Sequence, residues 1–166
     1  MKNYGANKIN SICWSHNNQI IAQGFDDGII QLSAANSGKK VHQISTNVAS
    51  SLSNQIQRLG APVTSLVFSR NSEYLCAGLG DGITKIWSLS NKRLATVLTQ
   101  PPSASRYGSN ADSQFSPITS ISLNSNNQIL ASSNQKGQIN VYRTETFFDT
   151  SNDNQEPMTV KENFQI

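Results

Sequence analysis

A threefold internal repeat is the feature of this sequence that most restricts its fold. Residues 9–32 align with residues 63–86 without a gap at an offset of 54, and a third copy follows from Ile118 at an offset of 55. Each copy has short runs rich in Val, Ile, Leu and Thr, separated by turns of Gly, Asp, Asn and Ser. Runs of this length and composition are typical of strands. The repeat therefore predicts an all-β fold built from similar units.

The middle copy is the clearest unit, because four strand-like runs are joined by three tight turns. Such an antiparallel meander is the unit from which a propeller blade is built. We therefore predict three four-stranded antiparallel blades, at about residues 8–44, 61–98 and 116–146, as part of a β-propeller over residues 1–146. The predicted strands of the middle blade are Val63–Phe68, Tyr74–Ala77, Ile83–Trp87 and Arg93–Leu98.

The first strand of each copy has a bulky face and a small face, because successive side chains of a strand point to opposite sides. The bulky faces need a neighbouring blade to cover them. Three blades do not close a ring. The chain is therefore either a fragment of a longer protein or completes its propeller with another copy or a partner chain. The bulky residues are Ile12 and Trp14, Leu66 and Phe68, and Ile121 and Leu123.

Two inserts separate the predicted blades, at residues 45–60 and 99–116. In a meander both should lie at the same rim as the turns between second and third strands. The first insert has apolar residues at helical spacing, which predicts a short helix. The second is either a solvated loop without function or a partner-docking or phosphoregulated arm, with Ser116-Pro117 as a candidate modification site. The helical positions are Val48, Leu52, Ile56 and Leu59.

The C-terminal residues 147–166 are predicted to be a polar tail or an irregular end of the third blade. Only two short runs there have strand character, Phe147–Phe148 and Met158–Val160. If one of them is the fourth strand, the loop that precedes it is long and acidic, around residues 149–156.

Charge and composition argue against nucleic-acid and membrane partners. The net charge is +3, and no run of basic residues exceeds two, so no nucleic-acid footprint is indicated. No stretch approaches the ~20 apolar residues of a membrane span, and the N-terminus lacks the apolar core of a signal peptide. Asn-X-Ser/Thr sequons are also missing. We therefore expect an intracellular, cytoplasmic protein.

The reactive side chains of the sequence do not form a catalytic or metal-binding pattern. Cys13 and Cys76 lie in apolar strand-like runs, which favours buried free thiols over a disulfide. His16 and His42 fall on different parts of the first copy and have no zinc spacing with the cysteines. The Asp26-Asp27 pair lies in a tight turn, where Asp serves local backbone hydrogen bonding. We therefore predict no enzyme activity, no metal and no cofactor.

The string VTSLVFSRNSEYLCAGLGDGITKIWSL in the middle copy resembles a WD40 repeat from its first through third strands. Trp87 stands at the position of the family's Trp, and Asp81 and Asp27 match the Asp of its tight turn. In the third copy Lys136 replaces that Asp, and no copy has the Gly-His pair that usually precedes the first strand. The positions that the resemblance assigns to the repeat framework are Asp27, Gly28, Asp81, Gly82, Trp87, Gly137 and Tyr142.

The resemblance implies a rigid scaffold that binds other proteins through loops at its rim. We expect the partner-facing positions at the turns between second and third strands and in the second insert. These candidate rim residues are Phe25, Asp26, Leu79, Gly80, Asn134, Gln135, Arg106 and Tyr107.

About the first 145 residues also resemble the opening blades of the WD-repeat adaptors that target γ-tubulin ring complexes to centrosomes and spindles. The segments that carry this resemblance are ICWSHNN, YLCAGLGDGITKIWSLSNKR and ILASSNQKGQINVY. It implies γ-tubulin complexes or other cytoskeletal proteins as partners and a role in microtubule nucleation. The alternative is a structural subunit of a large intracellular assembly that completes its propeller with another chain.

Overall fold

A computed structural model describes residues 7–47, 60–100, 116–144, 158–160 and 164–165 of the protein. Within these residues all regular secondary structure is β, and thirteen strands form three sheets. The predicted helix of the first insert, the candidate rim residues Arg106 and Tyr107, and the acidic loop around residues 149–156 lie outside the described residues.

The first blade is an antiparallel meander in which each strand pairs with the next along the chain. Tight turns join these strands, and a β-bulge interrupts the ladder between the first two. The four strands are β1 (Ile9–Trp14), β2 (Ile20–Phe25), β3 (Ile29–Ala34) and β4 (Lys40–Ser45).

The second blade repeats this meander and carries an additional strand at its outer edge. Its antiparallel strands are β5 (Val63–Phe68), β6 (Tyr74–Leu79), β7 (Ile83–Ser88) and β8 (Arg93–Thr99). The additional strand, β12 (Met158–Val160), pairs parallel with β8. Met158–Val160 therefore does form a strand, but the suggestion that it ends the third blade is wrong.

The third blade has the strand order β9-β10-β11-β13. Its fourth strand is the short C-terminal β13, which pairs antiparallel with β11. The prediction of three four-stranded antiparallel blades is thus confirmed, with a fifth, parallel strand added to the middle one. The strands are β9 (Ile118–Leu123), β10 (Ile129–Asn134), β11 (Ile139–Arg143) and β13 (Phe164–Gln165).

The apolar core lies between the blades in two clusters. We call the interface of the first and second blades junction 1, and that of the second and third blades junction 2. At junction 1, Ile30 and Leu32 pack in one cluster with Leu66 and Phe68. At junction 2, strand β9 contributes Ile121 to a cluster that includes Ile86, Leu98 and Tyr142. Stacking of blades, rather than any single sheet, therefore buries the apolar residues.

Candidate interaction surfaces

The turns between second and third strands form the rim that sequence reasoning assigned to a partner. In the first two blades an Asp organises the turn: the Ile29 N–H donates to Asp27 Oδ1 at 3.0 Å, and the Ile83 N–H donates to Asp81 Oδ1 at 3.1 Å. The following residues, Gly28 and Gly82, have φ of 79° and 83°, which a glycine adopts without strain. The Asp side chains thus stabilise the turns locally.

The third blade builds the equivalent turn with an asparagine. Asn134 Oδ1 accepts hydrogen bonds from the backbone N–H groups of Lys136 and Gln138, both at 3.0 Å. Gly137 follows with a φ of 76°. Asn134 therefore performs the role that Asp27 and Asp81 have in the other blades, although Lys136 occupies the family's Asp position.

The candidate rim residues differ in how far they reach solvent. Asp26 and Gln135 are exposed, and Phe25 is half-buried. Leu79 is fully buried in the junction 1 cluster, and the Gly80 N–H donates to the Pro62 carbonyl at 2.8 Å. Of these residues, Asp26 and Gln135 offer side chains to a partner most directly, and the assignment of the rim to a partner stays a prediction.

Buried amide groups connect the rim of the third blade to the second blade. Asn134 is 4% exposed and donates through Nδ2 to Gln100 Oε1 at 2.7 Å. Gln100 in turn donates through Nε2 to the Ser116 carbonyl at 3.0 Å. Sequence reasoning missed Gln100, because an amide side chain at the end of a strand has no local signal for burial. This network fixes Asn134 in the scaffold rather than presenting it to solvent.

The framework aromatic residues are buried at the two junctions. Trp87 belongs to the junction 1 cluster, and Tyr142 occupies the equivalent position at junction 2. Burial raises the pKa of the Tyr142 hydroxyl, and the nearby Ser132 hydroxyl partly opposes this shift. The Ser132 hydroxyl itself has no hydrogen bond of normal geometry among the described residues. Both aromatic side chains therefore act in blade packing.

The first strand of the first blade exposes three large apolar side chains, whereas the exposed apolar residues of the third blade, Ile129 and Ile139, lie on its second and third strands. Ile9, Ile12 and Trp14 are 50%, 62% and 54% exposed, and we call these three residues the end face. Their equivalents in the second blade, Val63, Leu66 and Phe68, are buried against the first blade. Within the described residues no blade covers the end face, and the expectation that a bulky face needs a neighbour stays a prediction for this surface.

Junctions 1 and 2 share a close contact between a glycine and a β-branched residue. A Cβ atom added at Gly24 would lie 2.5 Å from Val63 Cγ1, and one added at Gly78 would lie 2.4 Å from Ile118 Cγ2. Real Cβ atoms do not approach so closely, so glycine is required at both positions. Val63 and Ile118 each begin a blade, and each enters a notch left by the missing side chain.

The cysteine thiols are free and shielded. Cys76 is fully buried and Cys13 is half-buried. Burial raises the pKa of each thiol from 9.0 to about 12, so both remain protonated and weakly nucleophilic at neutral pH. In the part of the chain that the structure describes, no three His, Cys, Asp or Glu side chains gather as a metal site. That part also contains no helix long and apolar enough to span a bilayer.

Comparisons with known proteins agree with the blade geometry. The family described as anaphase-promoting complex subunit 4 WD40 domain matches residues 2–57. The family described as WD domain, G-beta repeat, matches residues 53–88. No curated protein matches the chain in sequence. The two family matches together cover the first blade and three strands of the second.

Proposed function

Because this chain contains WD40 repeats, we propose that it is a structural subunit of a multiprotein assembly, in which its end face is covered by another polypeptide. WD40 domains in general serve as non-enzymatic scaffolds for protein interactions. The match to a domain named after a subunit of a large complex supports the choice of an assembly subunit over a freely acting adaptor.

The exposure of the end face is the observation that carries this proposal. Large apolar side chains lie side by side on β1, whereas isolated surface apolar residues are common and need no explanation. The residues equivalent to Ile12 in the other blades, Leu66 and Ile121, are both buried. Of the two residues equivalent to Trp14, Phe68 is buried and Leu123 is half-buried. Leaving such residues in water forgoes about 1.5–3 kcal/mol of transfer free energy for each one that a partner would bury.

The test compares the size of native complexes that contain the tagged full chain in cell extract. We expect wild type to migrate in a fraction far larger than its 18.1 kDa, and the Ile12→Ser, Trp14→Ser double variant to migrate as the free chain. Val41→Ser is the matched control, because Val41 is 57% exposed in the same blade but lies on the outermost strand β4. Identical migration of all three proteins would contradict the proposal.

A role as a γ-tubulin adaptor, with a centrosomal location, stays a second and more specific prediction. It depends on the sequence resemblance described above, and neither matching family names γ-tubulin. Sedimentation of the purified chain with γ-tubulin complexes tests it: wild type should co-sediment, and the exposed rim variant Asp26→Ala should co-sediment less if the rim is the contact. The expected intracellular, cytoplasmic location also remains a prediction.

A further inference from the structure

The strand register establishes which residues of the end face and of the third blade, at the opposite end of the arc, are equivalent to residues at the two junctions. Ile9, Val63 and Ile118 are equivalent, because each begins a first strand and pairs with the last residue of the second strand. The next-to-last residue of each second strand is also equivalent in the three blades, because each pairs with a residue near the start of the third strand. These second-strand residues are Gly24, Gly78 and Ser133.

The third blade therefore replaces the notch glycine by serine. At the two junctions inside the chain, the notch admits Val63 or Ile118, and a Cβ atom there would overlap the incoming side chain at 2.4–2.5 Å. Ser133 carries that Cβ atom, and its hydroxyl is engaged with Thr119 Oγ1 at 2.9 Å. A blade that begins with Ile, placed on the third blade in the geometry of junctions 1 and 2, would collide with Ser133.

The other features of the two open faces match each other. The outward side of β9 presents two small, exposed residues, Ser120 and Ser122. The bulky first strand of a further blade would pack on them. Two copies of a three-bladed arc would also make six blades, a number at which propellers close, and twofold symmetry is the commonest in oligomers. Ser133 is thus the one position in this comparison that opposes assembly of two copies.

Resting on the proposed function, we propose that the end face binds a WD40-type blade of a different chain that has glycine at the position of Gly24 and Gly78. Ile9 enters that glycine notch as Val63 and Ile118 enter theirs, while Ile12 and Trp14 pack on the small face beside it. Ser133 prevents a second copy of this chain from occupying the end face. The site therefore selects its partner by one missing Cβ atom, a form of negative selection against self-assembly.

The test uses the chain itself as the probe. In sedimentation velocity, wild type should remain a monomer, whereas Ser133→Gly should form a dimer of about twice the 18.1 kDa mass. Ser133→Ala is the matched control: it removes the hydroxyl but keeps the Cβ atom, and it should remain a monomer. Acrylamide quenching reports the interface directly, because Trp14 is 54% exposed and Trp87 only 5%. Among wild type, Ser133→Ala and Ser133→Gly, quenching should fall only in the Ser133→Gly dimer.

Two further variants keep the result decisive. Adding Ile12→Ser and Trp14→Ser to Ser133→Gly should restore the monomer, because the dimer uses the end face. Ile9→Ala shortens the incoming side chain instead of opening the notch, so it should produce a weaker dimer even if Ser133→Gly impairs folding. A wild-type dimer with protected Trp14 would overturn the proposal, as would monomers for both Ser133→Gly and Ile9→Ala. These outcomes are independent of complex size in extract, which tests the proposed function.

Discussion

Junctions 1 and 2 stack the same kind of blade but satisfy their polar groups differently. Lys85 and Asn140 are equivalent positions on the third strands of the second and third blades. Lys85 is 9% exposed and its Nζ donates to the Thr46 carbonyl of the first blade at 2.6 Å. Asn140 is 1% exposed, and its Nδ2 has no hydrogen-bond partner among the described residues. A long side chain reaches across its junction, whereas a short one at the same position does not.

The rim turns of the first and third blades differ in how closely other backbone approaches them. A Cβ atom at Gly28 would lie 2.5 Å from Gly60 Cα, because the connection between the blades passes directly over the first blade's rim turn. The equivalent turn glycine of the third blade, Gly137, has no atom within 4 Å of an added Cβ. The rim-turn glycine is thus crowded where the connection to the next blade crosses it, and open on the third blade, where no described blade follows.

The largest expected effect comes from filling the close contact at junction 1. Gly28→Ala should lower the free energy of unfolding by about 3 kcal/mol, because it adds a backbone collision to the strain of a positive φ. Gly137→Ala should cost about 1 kcal/mol, since it adds only the strain. Urea denaturation of both variants measures the difference. Equal losses would mean that the contact with Gly60 does not hold junction 1 together.

The second-largest effect concerns the hydrogen bond that Lys85 donates to the Thr46 carbonyl. Lys85→Met should lower the free energy of unfolding by about 1–3 kcal/mol, because it leaves the Thr46 carbonyl buried without its donor. Asn140→Leu is the comparison at junction 2 and should leave the free energy of unfolding unchanged or raise it by up to about 1 kcal/mol, since the amide nitrogen it removes has no partner in the described residues. A larger loss from Asn140→Leu than from Lys85→Met would reverse the contrast between the junctions.

Lys85 also makes the free energy of unfolding depend on pH. Burial lowers its pKa from 10.5, and the Asp81 carboxylate partly opposes the shift. The unfolded chain therefore holds the proton to a higher pH than the folded one, so this residue makes stability rise between the lowered pKa and 10.5. The stability difference between wild type and Lys85→Met should widen as pH rises through that window. A difference independent of pH would mean that Lys85 is solvated in the folded state.

The smallest effect distinguishes two threonines of the second blade. Thr84 is 1% exposed at junction 2, and its hydroxyl has no partner in the described part of the chain. Thr84→Val should therefore raise the free energy of unfolding by about 1 kcal/mol. Thr64 Oγ1 donates to the Gly78 carbonyl at 2.9 Å, so Thr64→Val should lower it by a similar amount. Thermal unfolding of the two variants should shift in opposite directions, and shifts of the same sign would refute this account.

The repeat and its alternation of bulky and small residues were sufficient to predict the three blades, because period-two patterning determines which side of a strand is buried. Leu66, Phe68 and Ile121 lie between blades as that pattern requires. The partner of a strand is less predictable. Met158–Val160 has strand character in sequence, but nothing in its composition indicates that it pairs with β8 rather than with β11.

Polar residues between blades were the other features that sequence reasoning could not place. A lysine in a strand normally indicates a solvent-facing position, and Lys85 is buried because the connection to the second blade brings the Thr46 carbonyl within reach. Leu79 and Asn134 were assigned to the rim from their position in a turn. Their burial is set by the neighbouring blade, which local patterns do not report. The need for glycine at the notches likewise arises from the packing of one blade against the next, which the sequence of a single repeat does not show.

The parallel pairing of β12 with β8 has a consequence for the order in which the protein is built on the ribosome. Met158 pairs with Thr96 and Val160 with Leu98, so about sixty residues are synthesised between the two halves of this ladder. Until Met158–Val160 emerges, β8 is a strand edge with free N–H and C=O groups, the kind of edge on which chains aggregate. The blade with the clearest sequence is thus finished only after the first three strands of the third blade have been made. A chaperone that delays release of the nascent chain would protect this edge until its partner strand is available.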